Sequence, residues 1–129
     1  MLASELAFQK GLYAMDRAKY YAAVDYFSKA CKLEPKTGDY HIQLGYAIFK
    51  QVTGPQKTTE EAIAHIKKGL VLTPLHVTAN RMLAEIERHR GDLEAAVEYL
   101  QKAVEEDPKD DEAEIELREL QELLAKRID

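Results

Sequence analysis

The chain has 129 residues, 46% of them hydrophobic, and a formal net charge of −5 from 23 acidic and 18 basic residues. No basic face with interleaved aromatic residues is present, which excludes nucleic-acid binding, and no apolar run is long enough to span a bilayer. The first residues show no basic segment followed by an apolar one, so we expect a cytoplasmic protein without membrane association. The single cysteine, Cys31, is expected to be a buried, inert thiol.

Three prolines each close a similar segment of sequence. An alanine, then an aromatic or aliphatic residue, then a small residue precede each proline at the same three distances. The three sets are Ala23, Phe27, Ala30 and Pro35; Ala62, Ile66, Gly69 and Pro74; and Ala96, Leu100, Ala103 and Pro108. The first two prolines lie farther apart than the last two, because the middle repeat carries a five-residue insertion. Self-similarity at this period predicts a short array of helical repeats.

The first repeat predicts two helices. We expect Ser4 to cap the first helix, which reaches about Asp16, and a second helix to cover residues 20–32. This second helix ends before Pro35, because proline disfavours helical geometry in the residue that precedes it.

The second repeat predicts another helix pair with a longer connection. Residues 38–51 form its first helix, and residues 52–57, with a Gly-Pro pair, form the inserted loop. Thr58 and Glu61 have the spacing of a capping box, in which each side chain accepts from a backbone N–H group at the start of a helix. We expect this fourth helix to end near Leu72.

The third repeat carries clear signals for helix ends. Gly91 follows the fifth helix, at the position where a left-handed residue is needed. Asp92 is expected to cap the sixth helix, and Pro108 closes it. Asp110 or Asp111 then caps a seventh and last helix.

The seventh helix has one apolar stripe and one acidic face. The stripe, at helical spacing, consists of Ala113, Leu117, Leu120 and Leu124, and we expect it to pack on the third repeat. The acidic face consists of Glu112, Glu116, Glu119 and Glu122, which we expect to point outward. A solvated cap for the array is favoured over a binding site for a basic partner, because terminal repeats need a polar outer face.

The repeats resemble the tetratricopeptide repeat (TPR). Gly11, Gly45 and Ala84 hold the position of a small residue, and residues 41–48 and 91–96 follow the family pattern. The resemblance implies an all-α fold of about seven helices, a right-handed superhelical array of antiparallel helix pairs. It further implies a single domain over residues 1–129. Its repeats cover about 4–37, 38–76 and 77–110, and its capping helix covers about 110–127.

The sequence offers no pattern for chemistry. His41, His65, His76 and His89 lie in different helices or helix ends, and none has a carboxylate or cysteine at a metal-ligand spacing that recurs from repeat to repeat. We expect each to be a partly exposed packing or surface histidine. The segment 54–58 departs from the phosphate-binding loop at the required glycines. We therefore expect no catalytic, metal or cofactor site, and a protein that is not an enzyme.

The resemblance implies a concave groove that is lined by the first helix of each pair. The candidate partner-binding residues are Phe8, Leu12, Met15, Ile42, Tyr46, Phe49, Arg81, Glu85 and Arg88. The first two repeats supply an apolar strip, and the two arginines are placed to meet an acidic group. TPR proteins that bind acidic C-terminal peptides use lysine and asparagine in the first repeat. Phe8 and Leu12 stand there in this chain and favour an apolar ligand.

These observations predict a non-enzymatic module that binds a peptide or helical segment of a partner protein, as an adaptor or scaffold. Two alternatives remain open at this point. The small TPR chaperones of bacterial secretion systems have a similar architecture. The apolar strip also fits a homodimerisation domain of a larger regulatory protein, since an exposed apolar patch of this size rarely lacks a partner.

Overall fold

A computed structural model describes residues 1–51 and 56–128, without the side chains of residues 56–58 and 128. This part of the chain forms seven α-helices and no strand, which confirms the all-α prediction. The helices are α1 (Ala3–Asp16), α2 (Tyr20–Leu33), α3 (Gly38–Gln51), α4 (Gln56–Leu72), α5 (Ala79–Arg90), α6 (Leu93–Glu106) and α7 (Asp111–Ile128). Two compact units result: an N-terminal unit, Met1–Pro74, with α1 to α4, and a C-terminal unit from Leu75 onward, with α5 to α7. The single domain and the repeat boundaries stay predictions.

Small residues let the helices of the N-terminal unit approach closely. α2 packs against α1 and α3, and α3 packs along α4. A Cβ atom at Gly45 would lie 2.5 Å from the carbonyl oxygen of Ala62, and one at Gly11 would overlap the ring of Phe27. Both glycines therefore allow a first helix to touch its own second helix. The core beneath them contains Ala7, Ala14, Ala23, Phe27, Ala30, Cys31, Tyr40, Leu44 and Ala47.

The start of α1 differs from the prediction. Leu2 is the N-terminal cap residue and makes no side-chain hydrogen bond to the helix. Ser4 lies inside the first turn and is buried, so its prediction as a cap was wrong. Ser4 instead belongs to the buried side of α1, together with the small residues Ala7, Gly11 and Ala14.

The connection between α1 and α2 contains a strained residue. Ala18 has φ 56°, in the left-handed region that costs an L-residue with a side chain about 1 kcal/mol. The turn is closed by backbone hydrogen bonds, in which Ala18 N–H donates to the Met15 carbonyl at 3.0 Å and Lys19 N–H donates to the Ala14 carbonyl at 2.8 Å. This bond pattern ends α1 without a glycine.

His41 connects α3 to the turn that follows α2. Its side chain is buried, and Nε2–H donates to the Pro35 carbonyl at 2.7 Å. The expectation of a partly exposed histidine was therefore wrong at this position. The carbonyl has no proton to give, so Nε2 donates in this bond, while Nδ1 is buried without a hydrogen-bond partner among the described residues.

The second repeat's loop falls mostly outside the described residues. α4 begins at Gln56, two residues before the predicted start at Thr58, and ends at Leu72 as predicted. Residues 52–55 and the side chain of Thr58 lie outside the described part of the chain. The capping box of Thr58 with Glu61 therefore stays a prediction.

The C-terminal unit confirms the predicted helix ends. Gly91 has φ 86° and ends α5, and the Asp92 carboxylate accepts from Ala95 N–H at 3.1 Å to cap α6. Asp110, rather than Asp111, caps α7 by accepting from Ala113 N–H at 3.1 Å.

α7 buries the predicted apolar stripe. Leu120 is enclosed beside Ala84, Val97 and Leu100, and Leu117 and Leu124 pack against the same cluster. Two of the four glutamates expected to point outward lie near arginines of α5, and of these Glu112 is 85% exposed, as expected. Glu112 lies 3.6 Å from Arg81, and Glu116, which is partly buried, lies 3.7 Å from Arg88.

Candidate partner-binding surface

Phe8 joins the two first helices of the N-terminal unit. Its ring lies 4.7 Å from the ring of Tyr40 on α3 and 5.5 Å from the ring of Phe27 on α2, between centroids. The side chain is half-buried and packs against the core cluster of the N-terminal unit. Sequence reasoning placed Phe8 in the groove and missed Tyr40, whose burial follows from this ring contact.

The more exposed side chains of this region occupy equivalent positions on α1 and α3. Leu12 and Tyr46 are separated by one repeat, and so are Met15 and Phe49. Leu12 is 40% exposed, while Met15, Tyr46 and Phe49 are partly exposed. We call the surface formed by Phe8, Leu12, Met15, Tyr46 and Phe49 the α1–α3 face.

Ile42 does not contribute to this surface. It is 0% exposed, and a Cβ atom at Gly69 would lie 2.5 Å from its Cγ1 atom. This contact buries Ile42 against α4, where it supports the core of the N-terminal unit. We therefore correct the sequence-based assignment and leave Ile42 out of the α1–α3 face.

Tyr46, Phe49 and Lys50 form a cluster near the end of α3. The two rings lie 6.3 Å apart, and Lys50 Nζ lies 5.3 Å from the Tyr46 centroid and 6.0 Å from the Phe49 centroid. A cation at this distance from an aromatic face is attracted by the ring's quadrupole. The cluster therefore places partly exposed aromatic surface beside a positive charge.

The candidate residues of α5 behave differently. Arg81 donates to the Asp110 carboxylate at 3.0 Å, and Arg88 lies 3.7 Å from the Glu116 carboxylate, so both arginines pair within the C-terminal unit. Glu85 is half-buried. These ion pairs were not predicted from the sequence, which placed Arg81 and Arg88 to meet an acidic group of a partner.

Groups with unusual acid–base properties lie outside the α1–α3 face. Burial raises the pKa of the Cys31 thiol to about 11, although Lys68 acts in the opposite direction. The thiol is therefore protonated at neutral pH, which makes it a poor nucleophile. The described residues contain no group of three or more histidine, cysteine, aspartate or glutamate side chains placed to hold a metal ion.

Sequence comparison gives the family. Two models, each described as tetratricopeptide repeat, match residues 4–37 and residues 56–111. The chain belongs to the tetratricopeptide repeat family. This TPR protein has no match among curated proteins. None of the helices in the described ranges is long and apolar enough to cross a membrane.

Solved structures of other TPR domains share the fold. The first TPR of Spaghetti (RPAP3), bound to the HSP90 peptide SRMEEVD, has 21% identity and a TM-score of 0.83, covering 95% of this chain and 96% of that chain. The OM64 TPR domain of Arabidopsis has 18% identity and a TM-score of 0.81, covering 93% and 95%. The Sgt2 TPR domain of Aspergillus fumigatus has 19% identity and a TM-score of 0.83, covering 98% and 82%. These likenesses confirm the TPR fold.

Proposed function

We propose that this TPR domain is a non-enzymatic adaptor that binds an apolar peptide segment of a partner protein on the α1–α3 face. The observation that carries the proposal is the partly exposed ring pair of Tyr46 and Phe49, one repeat away from Met15 and the exposed Leu12. Aromatic side chains that are held in place on a helix are favourable anchors for a peptide, because little conformational entropy is lost when they bind.

The side chains of this face favour an apolar ligand over an acidic one. The RPAP3 domain is bound to the peptide SRMEEVD, whose last four residues include three acidic ones. In the present chain, Phe8 and Leu12 occupy first-repeat positions that use lysine and asparagine in TPR domains of that specificity. Lys50 lies beside the ring pair, and we expect a ligand with one or two apolar anchors.

The proposal can be tested by selecting peptides from a displayed random library. The binding of the selected peptides is then measured by fluorescence anisotropy. We expect sequences with aromatic or aliphatic anchors, and we expect Tyr46→Ala to weaken their binding by about 1 to 3 kcal/mol. Tyr21→Ala is the matched control, because Tyr21 is 71% exposed on α2 and outside the α1–α3 face. This control should bind like the wild type.

Two results would count against the proposal. Equal binding by the wild type and Tyr46→Ala would place the ligand elsewhere. Sedimentation of the wild type as a dimer that Tyr46→Ala converts to a monomer would assign the α1–α3 face to a second copy of the chain instead.

A further inference from the structure

A second apolar surface lies between α1 and α2, beside the core residue Ala14. Leu6 is 45% exposed and Tyr13 is 60% exposed, and both line a pocket of about 470 Å³ between α1 and α2. Tyr26 of α2 completes its apolar part, and Lys10 and Lys19 contribute its charge. We call the surface formed by Leu6, Lys10, Tyr13, Lys19 and Tyr26 the α1–α2 face.

The repeat period shows what kind of element fits this surface. Leu6 and Tyr13 correspond, one repeat later, to Tyr40 and Ala47 of α3. Both of those residues are buried in the core that α3 shares with α2. On α3, this side of the helix is therefore covered by the second helix of the preceding pair.

The same comparison holds in the C-terminal unit. In the register that aligns Gly11 with Arg118, Leu6 and Tyr13 correspond to Ala113 and Leu120 of α7, which are both 0% exposed. α7 packs against α6, again a second helix of a pair. In α3 and α7, the residues at these two positions are therefore buried against the preceding helix. In α1, the residues at the same positions, Leu6 and Tyr13, are exposed.

The charged residues around the pocket indicate which kind of helix would bind there. The pocket is lined by two lysines and by no carboxylate. The guanidinium of Arg17 lies 4.3 Å from the centroid of the Tyr13 ring, which brings a third cation to the same side of α1. A helix that covers Leu6, Tyr13 and Tyr26 would avoid burying unpaired positive charge only if carboxylates border its apolar stripe.

We propose that the α1–α2 face binds an acidic amphipathic helix of a partner protein, in the place that a preceding second helix would occupy. The interaction follows the helix-in-groove mode, in which apolar anchors at helical spacing fill the groove between α1 and α2. The flanking carboxylates pair with Lys10 and Lys19. The surface is distinct from the α1–α3 face, so both ligands can be tested on one protein.

The chain supplies a probe of the right chemistry. A synthetic peptide of residues 92–107 has the sequence of α6 with its cap, and it contains six carboxylates and one lysine. Within the protein, Val97 and Leu100 of this segment pack in one cluster with Leu120, the residue of α7 that corresponds to Tyr13 of α1. We expect the acetylated and amidated peptide to bind the full chain, with an affinity that falls as salt is added.

Two sets of protein variants locate the binding. Tyr13→Ala, and Lys10→Glu combined with Lys19→Glu, should each weaken peptide binding about tenfold or more. These side chains are exposed, so circular dichroism should show folded variants. Tyr46→Ala is the matched control and should bind the peptide like the wild type. A peptide with Glu94, Glu98 and Glu105 changed to lysine should bind the double glutamate variant better than it binds the wild type.

Nuclear magnetic resonance of the labelled full chain identifies the contacted surface. We expect the amide shifts of α1 and α2 to change on peptide addition and those of α7 to stay unchanged. Failure to bind would overturn the proposal. Shifts confined to α7 would overturn it as well, since the peptide would then replace α6. A wild-type dimer that Tyr13→Ala dissociates would assign the face to a second copy and overturn the proposed partner.

Discussion

Ala18 and Gly91 hold the same position in their repeats, and both adopt the left-handed backbone conformation, with φ of 56° and 86°. Each lies seven residues after the small residue of its repeat's first helix, Gly11 in the first case and Ala84 in the second. The turn between paired helices therefore has one geometry in both units. Only one of the two sequences provides the glycine that this geometry favours.

We predict that Ala18→Gly stabilises the protein. Removing the Cβ atom relieves the left-handed strain and should raise the free energy of unfolding by about 1 kcal/mol, less the added flexibility of the unfolded chain. Urea unfolding followed by circular dichroism measures the change.

Gly91→Ala provides the reciprocal control. A Cβ atom at Gly91 would meet nothing within 4 Å, so backbone strain alone should lower the stability, by about 1 kcal/mol. A loss of stability in Ala18→Gly would contradict the left-handed conformation of Ala18 in solution.

Asp110 performs two tasks at the start of α7. One carboxylate oxygen accepts from Ala113 N–H at 3.1 Å, and the other accepts from Arg81 at 3.0 Å. We predict that Asp110→Ala lowers the free energy of unfolding by about 1 to 3 kcal/mol, since it removes both a helix cap and an ion pair. Urea unfolding measures the loss.

Two variants separate these contributions. Asp110→Asn keeps a capping oxygen and removes the charge, so it should lose less than Asp110→Ala. Asp111→Ala removes a neighbouring exposed carboxylate and should change stability by only a few tenths of a kcal/mol. Equal losses at Asp110 and Asp111 would show that general acidity at the start of α7, rather than the cap, stabilises it.

Much of the fold could be predicted because local signals mark the ends of the helices. Prolines, the left-handed Gly91 and the cap at Asp92 act within a few residues of the sequence, and the structure confirms the helix ends that they predict. The prediction for Ser4 was wrong because a serine near a helix start can equally lie within the first turn. Whether it does so depends on packing around α1.

The candidate site was harder to predict, because it depends on contacts between distant helices. The burial of Ile42 results from Gly69 on α4, and the pairing of Arg81 results from Asp110 at the start of α7. The family pattern gives the side of a helix that faces the groove, but it does not show how deeply each side chain is packed. Leu12, Tyr46 and Phe49 stay predicted partner contacts.

His65 should make stability depend on pH. Burial, together with the nearby His41 and Lys68, lowers the pKa of His65 below its ordinary value of about 6.5, against an opposing effect of Glu61. The unfolded chain then binds a proton more readily than the folded one as the pH falls below this value. The contribution of His65 to the free energy of unfolding is fully present above about pH 6.5. It is lost as the pH falls toward the pKa of His65 in the folded state.

We predict that His65→Gln reduces this loss between neutral pH and about pH 5. The measurement is the free energy of unfolding in urea at a series of pH values, compared with the wild type at each pH. Lys68→Gln removes one of the charges that oppose protonation, so it should give an intermediate slope. An unchanged slope in His65→Gln would assign the acid sensitivity to other groups.

The last prediction separates two neighbouring candidate residues of α1. Phe8 contacts the rings of Phe27 and Tyr40, whereas Leu12, one turn later, is 40% exposed. We expect Phe8→Ala to lower the free energy of unfolding by about 2 to 4 kcal/mol, because it leaves a cavity between α1, α2 and α3. Leu12→Ala should lower it by less than about 1 kcal/mol and should instead weaken peptide binding. Urea unfolding and anisotropy on the same samples compare the two effects. Equal losses of stability would make Leu12 a core residue and reduce the α1–α3 face to the side chains of Met15, Tyr46 and Phe49.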